Sequence, residues 1–474
     1  MSLRTSVPAF ALVLCLTGCA AVRSYDRELH TTLVQASSGN VDGAIRTLES
    51  NNRLPDKDLL YFLELGMLQR LGNHYEESQK AWMAANTRVQ VRDQTVLADT
   101  ANLLRGASTY LINDKLRAYE GHDYEKVMLL TYIALNHLSK GEYENARVAI
   151  KQAHELEALI AELRSKEIAE VKEDAKKRGA SISFKELNGY PVETIENPAV
   201  NALRNSYQSA LSHYLAGFIY ESLGEPSLAA PGYRLANELQ PGVPLLEEAL
   251  RGLDGRIGER DDGMTDVLFL VASGTAPALQ SRQFHMLIPA QDKLILVAVS
   301  FSVMTPTLPS GSPLRLAVDG APSLTVAPIT SIDLMARRQL KDDMPGIMLR
   351  ASIRATASAV LQYQAQRARD KQRAGDKKHA AAGGAAAAVV MAGSALLASA
   401  DDRTWRTLPS EISIARARLP AGMHSVTLHT PQGARTAQIE VSGRYAVIDF
   451  RLLRNQLFVQ SPSQQKTPTR EISR

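Results

Sequence analysis

Cysteine is nearly absent from this sequence. The chain of 474 residues contains two cysteines, Cys15 and Cys19, and both lie within the first 20 positions. The rest of the chain therefore cannot supply a thiol nucleophile, a Cys-x-x-Cys redox pair, a cysteine-based zinc site or a disulfide bond between its own residues. Thiol catalysis and thiol–disulfide exchange are excluded as functions of residues 20–474.

The sequence also lacks the common catalytic motifs. Its ten histidines are dispersed, none lies in a His-Glu-x-x-His motif, and neither a Gly-x-Ser-x-Gly elbow nor a P-loop is present. His424 and His429 lie five residues apart on one predicted strand, so they point to opposite faces and should not share a metal. A formal net charge of +4 gives no argument for nucleic-acid binding. We predict no cofactor, no metal, no nucleic-acid partner and no enzymatic activity.

The first residues have the organisation of a bacterial secretory leader. Arg4 lies near the start, and the apolar run of residues 7–16 is too short to span a bilayer. The run leads into four residues that resemble the lipobox of bacterial lipoproteins, namely Leu16, Thr17, Gly18 and Cys19. We therefore predict a lipoprotein signal peptide over residues 1–18.

The resemblance to a lipobox implies that Cys19 is acylated and becomes the mature N-terminus. Two or more acyl chains make a stable membrane anchor. Ala20 follows the cysteine, whereas lipoproteins retained in the inner membrane usually carry Asp there. The resemblance therefore implies a lipid-anchored outer-membrane protein that faces the periplasm. The alternative is a plain secreted protein whose leader happens to contain two cysteines.

Residues 19–253 have the spacing of a helical repeat array. Helical periodicity runs from about Tyr25 to Gly252, and recurring small residues would let paired helices approach closely. Two copies resemble tetratricopeptide (TPR) repeats, with a glycine at the turn between two helices, and two weaker copies precede them. Four hairpins suffice for a stacked array, so we predict a TPR-like solenoid; a generic helical bundle is the alternative. The two clear copies are marked by Ala134, Gly141, Tyr143, Ala146 and Ala153, and by Gly217, Gly224, Ala229, Ala236 and Pro241.

A charged insertion interrupts the array at about residues 155–198. The helix that enters it continues through residues 162–178, which are rich in Glu, Lys and Arg, and this composition predicts a solvated, projecting helix. Turn residues within 181–198 then predict a loop that returns to the array. The insertion is either a partner contact or a tolerated surface excursion.

The hydrophobic period changes from helical to extended after a polar linker at residues 254–262. Apolar and β-branched runs separated by turns predict a small β-sandwich formed by residues 254–331 and 401–460, followed by a disordered tail at 461–474. The predicted class is therefore multidomain α+β. The predicted strands cover residues 267–271, 294–303, 314–318, 412–415, 424–429, 437–441 and 445–450.

A helical insertion is predicted between the two parts of the sandwich, at residues 332–400. It begins as a long helix near Ile332, breaks at Pro345 and continues beyond that residue. The segment Ala380–Ala400 is uncharged, but its Val and Leu residues favour membrane insertion by only about 1 to 2 kcal/mol in total. We expect this segment to pack on the protein, with a membrane-inserted or oligomerising hairpin as the alternative.

The whole arrangement resembles a poorly characterised family of bacterial outer-membrane lipoproteins with TPR repeats and a C-terminal β-rich region. Three stretches carry the resemblance, namely Asp123–Val127, Asn197-Pro198 and Ala400–Pro409. The resemblance implies cell-envelope work and no settled reaction. The layout is also similar to that of lipoproteins that activate peptidoglycan synthases, which makes peptidoglycan-synthesis machinery a candidate partner beside outer-membrane biogenesis machinery.

Asp401, Asp402, Arg403 and Trp405 form the candidate site. We favour a scaffold that binds protein partners through its repeats. The second hypothesis is a peptidoglycan- or polysaccharide-binding module that uses Trp405, Arg403 and Tyr445, and the third is an enzyme with Asp401 and Asp402 as acid and base. A purely structural interpretation also stands, in which an aspartate caps a helix, Arg403 pairs with it and Trp405 anchors the insertion to the sandwich.

Overall fold

The computed structural model describes residues 24–99, 114–180, 182–184, 187–258, 263–290, 293–306, 314–373 and 399–460. Several predictions from the sequence lie outside these described residues. They concern the signal peptide with Leu16, Thr17, Gly18 and Cys19, almost all of the segment 380–400, and the tail at 461–474.

Helices occupy most of the described first half of the chain. Four pairs of consecutive helices pack as hairpins, namely α1–α2, α3–α4, α5–α6 and α8–α9, as the recurring spacing predicted. The helices are α1 (Tyr25–Ser37), α2 (Val41–Asn51), α3 (Leu59–Leu71), α4 (Tyr75–Asp99), α5 (Asp123–Ser139), α6 (Tyr143–Arg178), α7 (Pro198–Ala202), α8 (Ala210–Ser222), α9 (Pro226–Leu239), α10 (Pro244–Arg251), α11 (Leu253–Gly258) and α12 (Ile332–Arg373).

Small residues bring the two helices of a hairpin together. A Cβ atom placed on Gly66 would lie 2.2 Å from Nε1 of Trp82, and one on Gly217 would lie 2.6 Å from the ring of Tyr233. No side chain fits at such distances, so glycine is required for these aromatic rings to pack flat on the facing helix. The predicted signature alanines are also buried, namely Ala134, Ala146, Ala153, Ala229 and Ala236.

The turns of the two clearest hairpins depend on glycine for a different reason. Gly141 has φ of +72° and Gly224 has φ of +75°, a backbone conformation that residues with a Cβ atom rarely adopt. Tyr143 opens α6 and donates its hydroxyl hydrogen bond to the carbonyl oxygen of Tyr445, 2.6 Å away. Pro241 follows the last residue of α9, where the helix has ended.

The described strands form three sheets. Strands β11, β10, β1, β7 and β6 form one sheet in that order, β5, β4, β8 and β9 form a second, and β2 with β3 forms a two-stranded ribbon. Strands β1 and β10 run parallel, and the other pairs are antiparallel. The strands are β1 (Met264–Ser273), β2 (Leu279–Ala290), β3 (Lys293–Met304), β4 (Arg315–Val318), β5 (Leu324–Thr325), β6 (Ala327–Ser331), β7 (Glu411–Pro420), β8 (Gly422–Thr430), β9 (Gly433–Val441), β10 (Tyr445–Leu453) and β11 (Gln456–Gln460).

The five-stranded sheet is buried on both faces. Alternate residues of β1, such as Val267 and Phe269, pack against the four-stranded sheet and form the core of a sandwich. The residues between them, Leu268 and Leu270, belong to a second and larger core that includes the repeat helices and Trp405. A strand with two apolar faces reads as a continuous hydrophobic run, as residues 267–271 do. The two sheets therefore pack face to face as predicted, and the opposite face of the five-stranded sheet packs against the helical array.

The charged extension of α6 is not a free projecting helix. Helix α6 continues unbroken to Arg178 and ends at Gly179, but its last turns pack Val171 and Ala175 against Leu349 of α12. Arg164 also forms ion pairs with Asp123 and with an aspartate of α12. Most charged residues of 162–178 are exposed, as predicted, but a narrow apolar seam holds this part of α6 against α12, so the helix does not project freely.

The loop that follows α6 packs into the large core rather than extending into solvent. Phe184, Tyr190 and Ile195 are all buried. Tyr190 donates a hydrogen bond from its hydroxyl to the carbonyl oxygen of Ser302 on β3, at 3.0 Å. The loop therefore connects the helical array to the β2–β3 ribbon, which corrects the interpretation of a tolerated surface excursion. A contact of this insertion with a partner stays a prediction.

Two other boundaries differ from the prediction. Helix α12 continues through Pro345, because buried neighbours on both sides, Met344 and Met348, hold it against the core while one backbone hydrogen bond is lost. The predicted polar linker at 254–262 begins as helix α11, in which Leu253 is buried.

Candidate functional site

The segment Thr404–Thr407 lies inside the protein, between the helical array and the sheets. Trp405 has no exposed surface, and its ring packs at 6.1 Å from that of Trp82 and 6.3 Å from that of Tyr132. Its indole N–H donates to the hydroxyl of Thr407 at 3.0 Å. Trp405 therefore anchors this segment to the repeat helices as well as to the core face of the five-stranded sheet, so the structural interpretation named only one of its two sides.

Two buried carboxylates hold the backbone of this segment. Glu125 accepts the N–H of Trp405 at 2.7 Å, and Glu64 accepts the N–H groups of Arg406 and Thr407 at 2.8 and 3.0 Å. Burial raises the pKa of Glu64 to about 7, against the opposing effect of these hydrogen bonds. Each carboxylate accepts hydrogen bonds from backbone N–H groups that have lost their contact with water on burial.

The four residues of the sequence-predicted site are occupied by internal contacts. Asp401 pairs with Arg403 at 2.7 Å, as predicted, and Asp402 pairs with Lys115 at 2.8 Å and accepts the N–H of Tyr25 at 3.0 Å. Arg403 also donates to backbone carbonyl oxygens in the segment before α5. These contacts tie the segment to the helical array and engage the carboxylates of both aspartates.

The residues of the proposed glycan site do not form a glycan-binding face. Trp405 is fully buried, Tyr445 is 9% exposed, and Arg403 is engaged as described. A sugar ring requires an exposed aromatic face, so this hypothesis is wrong for these three residues. His424 is buried beside Asp319 at 2.5 Å, whereas His429 on the same strand is exposed, so the two imidazoles do lie on opposite faces.

A different site lies between the third and fourth hairpins. Helices α6, α8 and α9 and the loop after α7 enclose a cleft of about 450 Å³. Glu157 and His154 line it from α6, and His213 lines it from α8. Glu157 and His213 are only 3% and 4% exposed. Polar side chains this deeply buried in a cleft are candidates for ligand contacts.

The carboxylate of Glu157 is only half satisfied. Its Oε2 atom accepts hydrogen bonds from Nε2 of His213 at 3.0 Å and from Nε2 of Gln208 at 3.3 Å. Its Oε1 atom is buried and has no hydrogen-bond partner. Because a carboxylate oxygen can only accept, His213 must carry its hydrogen on Nε2.

The second imidazole of the cleft remains neutral. The ring of His154 stacks on that of His213, with centroids 4.3 Å apart. Burial, together with the neighbouring imidazole, lowers the pKa of His154 to about 3. Its Nε2 atom is also buried without a hydrogen-bond partner. The cleft therefore holds two unsatisfied polar atoms, Oε1 of Glu157 and Nε2 of His154.

This cleft was missed from the sequence because its polar residues are far apart in the chain. His154 and Glu157 are three residues apart on α6, a spacing that places two side chains on one helix face. His213 joins them only because the third and fourth hairpins pack together. A search for a contiguous histidine motif could not find this cluster, but the His–Glu pair at helical spacing was a usable signal.

The described ranges contain neither a cluster of metal-ligating side chains nor a helix suited to cross a membrane. Among those residues no three His, Cys, Asp or Glu side chains converge as metal ligands. No helix of the described part combines the length and apolar character that crossing a membrane requires.

Comparison with known proteins adds little. No protein-family model matches the chain, and no curated protein matches it. A solved structure of a tetratricopeptide repeat protein from Parabacteroides merdae ATCC 43184 is 14% identical, with a match that covers 48% of this chain and 98% of that one and a TM-score of 0.13. A TM-score this low supports no inference about the present chain, so the helical hairpins rest on their own geometry.

Proposed function

We propose that this protein is a scaffold that binds a segment of a partner protein between its third and fourth helical hairpins. The cleft carries the proposal, because its volume is about 450 Å³ and its wall includes Glu157, whose buried carboxylate has one oxygen without a hydrogen-bond partner. Binding pockets in proteins have volumes of roughly 300 to 1,000 Å³. Stacked helical hairpins commonly present such surfaces to partner proteins.

The location of this scaffold is also part of the proposal. The lipobox resemblance of residues 16–19 supports a lipid anchor on Cys19 and a place at the periplasmic side of the outer membrane. In that setting the partners would belong to cell-envelope assembly or maintenance, such as peptidoglycan synthesis or outer-membrane biogenesis.

Site-specific photo-crosslinking in cells tests partner binding. A photo-reactive amino acid replaces Ala161, which is exposed and lines the cleft, and the matched control replaces Gln438, which is exposed on β9. We expect discrete crosslinked proteins from position 161 that are absent from position 438. Equal products at both positions, or none at position 161, would contradict the scaffold proposal.

The same experiment in a Cys19→Ala background tests the anchor. Loss of the acylated residue should move the protein out of the membrane fraction and abolish the crosslinks from position 161. Unchanged membrane association of the Cys19→Ala protein would disprove the anchor while leaving partner binding to be judged by the crosslinks themselves.

A further inference from the structure

We propose that the cleft recognises a primary ammonium group on a methylene stem, which is the chemistry of a lysine side chain on the partner protein. This inference rests on the proposed scaffold function and names the group that the scaffold binds. It depends on the polar atoms at the base of the cleft and on the residues of its walls.

The first requirement is an acceptor for the positive charge, and Glu157 supplies it. The side chain is buried, and one of its two carboxylate oxygens has no donor. A buried acceptor without a donor destabilises the protein, because it has lost water and gained nothing in exchange. A ligand that brings a donor to Oε1 removes this cost, and a cationic donor also satisfies the charge.

A second acceptor lies one helical turn away. Nε2 of His154 is unpaired, and the low pKa of this histidine keeps its ring neutral at pH 7. A neutral imidazole can accept a hydrogen bond and does not repel a cation. In the tautomer with its hydrogen on Nδ1, Nε2 of His154 is an acceptor, and an ammonium group has three donors to offer to such acceptors.

The occupied carboxylate oxygen favours lysine over arginine. A guanidinium group binds a carboxylate best as a fork that uses both oxygens at once. Oε2 of Glu157 already accepts hydrogen bonds from His213 and Gln208. An ammonium group is a compact charge that needs only the free oxygen, so it fits this geometry without displacing either donor.

The walls of the cleft suit an alkyl stem. Ala158, Ala161 and Ala216 line it together with Leu228, which is 51% exposed. The methylene groups of lysine can cover such apolar surface while the ammonium group reaches the polar base. Arg204 also lines the cleft and opposes a cation, but it is exposed, where water and salt screen its charge.

Binding of small probes to the full-length protein tests this inference. The probe is Nα-acetyl-lysine N-methylamide, and the matched control is the norleucine analogue, which has the alkyl stem without the charge. Calorimetric titration measures affinity, and the imidazole NMR signals of His154 and His213 report the place of binding. We expect the lysine probe to bind about tenfold or more tightly than the norleucine probe.

Three variants locate the interaction. Glu157→Gln should weaken lysine binding about tenfold or more, whereas Glu155→Gln, on an exposed residue of the same helix, should leave it unchanged. Ala158→Phe adds bulk to the cleft wall from an exposed helix position and should also weaken binding without altering the carboxylate. Equal affinity for the two probes, or undiminished lysine binding by the Glu157→Gln protein, would overturn the inference.

Cadaverine distinguishes the source of the ammonium group, because it has the same chemistry without a protein main chain. Lysine-probe affinity at or above that of cadaverine supports a partner protein, and much tighter cadaverine binding would overturn the lysine assignment in favour of a free diamine. The scaffold is judged separately by photo-crosslinking from position 161. Crosslinks that persist in a protein that does not bind the lysine probe would retain the scaffold and reject the ammonium site.

Discussion

The protein has two kinds of buried carboxylate, and they differ in what they bind. Glu125 accepts hydrogen bonds on both oxygens, from Trp405 N–H and Thr404 on Oε1 and from His122 N–H on Oε2. Glu64 is likewise satisfied on both oxygens. Glu157 is equally buried but uses only one. The first two bind the protein's own backbone, while the third keeps an oxygen free at the base of a cleft.

This difference separates buried carboxylates that stabilise the fold from the buried carboxylate that we propose binds a ligand. A closed carboxylate, in which both oxygens accept hydrogen bonds, takes the place of water for backbone N–H groups that the fold has buried. Removing it leaves those N–H groups without an acceptor and destabilises the fold. An open carboxylate, in which one oxygen has no hydrogen-bond donor, contributes less to the fold, and that oxygen is left for a ligand. Burial alone does not distinguish the two cases, and neither does a missing partner, since Oδ1 of the buried Asp449 also has none. Glu157 differs in that it also lines a cleft.

The largest effect should come from Glu125→Gln. Both oxygens of Glu125 face backbone N–H groups, so an amide nitrogen must point at a donor whichever way the side chain turns. We expect the free energy of unfolding to fall by about 3 to 5 kcal/mol, measured by urea denaturation. Glu155→Gln, on the exposed face of α6, is the control and should be neutral. A cost below about 1 kcal/mol would show that Glu125 is not a closed carboxylate.

The next effect is a pH dependence set by Glu64. Its pKa is about 7 in the folded protein because of burial, against 4.5 for an unperturbed glutamate. The folded state therefore holds a proton that the unfolded state loses, and the resulting stability is present below pH 4.5 and lost as the pH rises through 7. This loss amounts to at most about 3 kcal/mol.

Urea denaturation of the wild-type and Glu64→Gln proteins at pH values from 4.5 to 8 measures this effect. The difference between the two proteins isolates Glu64 from other titrating groups. It should change across this range and level off only towards pH 8, because a group with a pKa of about 7 is half ionised at pH 7. A difference that does not vary with pH would contradict the raised pKa.

The smallest effect should come from Glu157→Gln. The amide oxygen can take the place of Oε2 and keep its two donors, while the amide nitrogen replaces the oxygen that had no partner. We expect the free energy of unfolding to change by less than about 1 kcal/mol. A loss as large as that of Glu125→Gln would remove the distinction between open and closed carboxylates.

The local elements of the fold were predictable, and their long-range partners were not. Helix hairpins and most strands follow from spacing within a short window, as at Gly141 and in residues 445–450. Strand β2 was missed because its first residues, Gln280–Gln283, are polar. The predicted break of helix α12 at Pro345 was wrong, because the continuity of this helix depends on packing against distant elements.

The candidate site shows the same limit. The sequence predicts a candidate site around Trp405. The carboxylates that bind its backbone, those of Glu125 and Glu64, lie about 280 and 340 residues away in the sequence. The cleft residues Glu157 and His213 are 56 residues apart. A sequence pattern records the residue types but not which hairpins will meet, so the composition of such sites appears only in the folded structure.

The position of β1 in its sheet has a consequence for synthesis. Its two neighbours, β7 and β10, begin at residues 411 and 445, whereas β1 ends at residue 273. A ribosome adds roughly 5 to 20 residues per second, so an apolar strand waits roughly 7 to 30 s before the first neighbour exists. During that interval both edges of β1 lack their partner strands, so this sheet cannot be completed until the last strands have been synthesised.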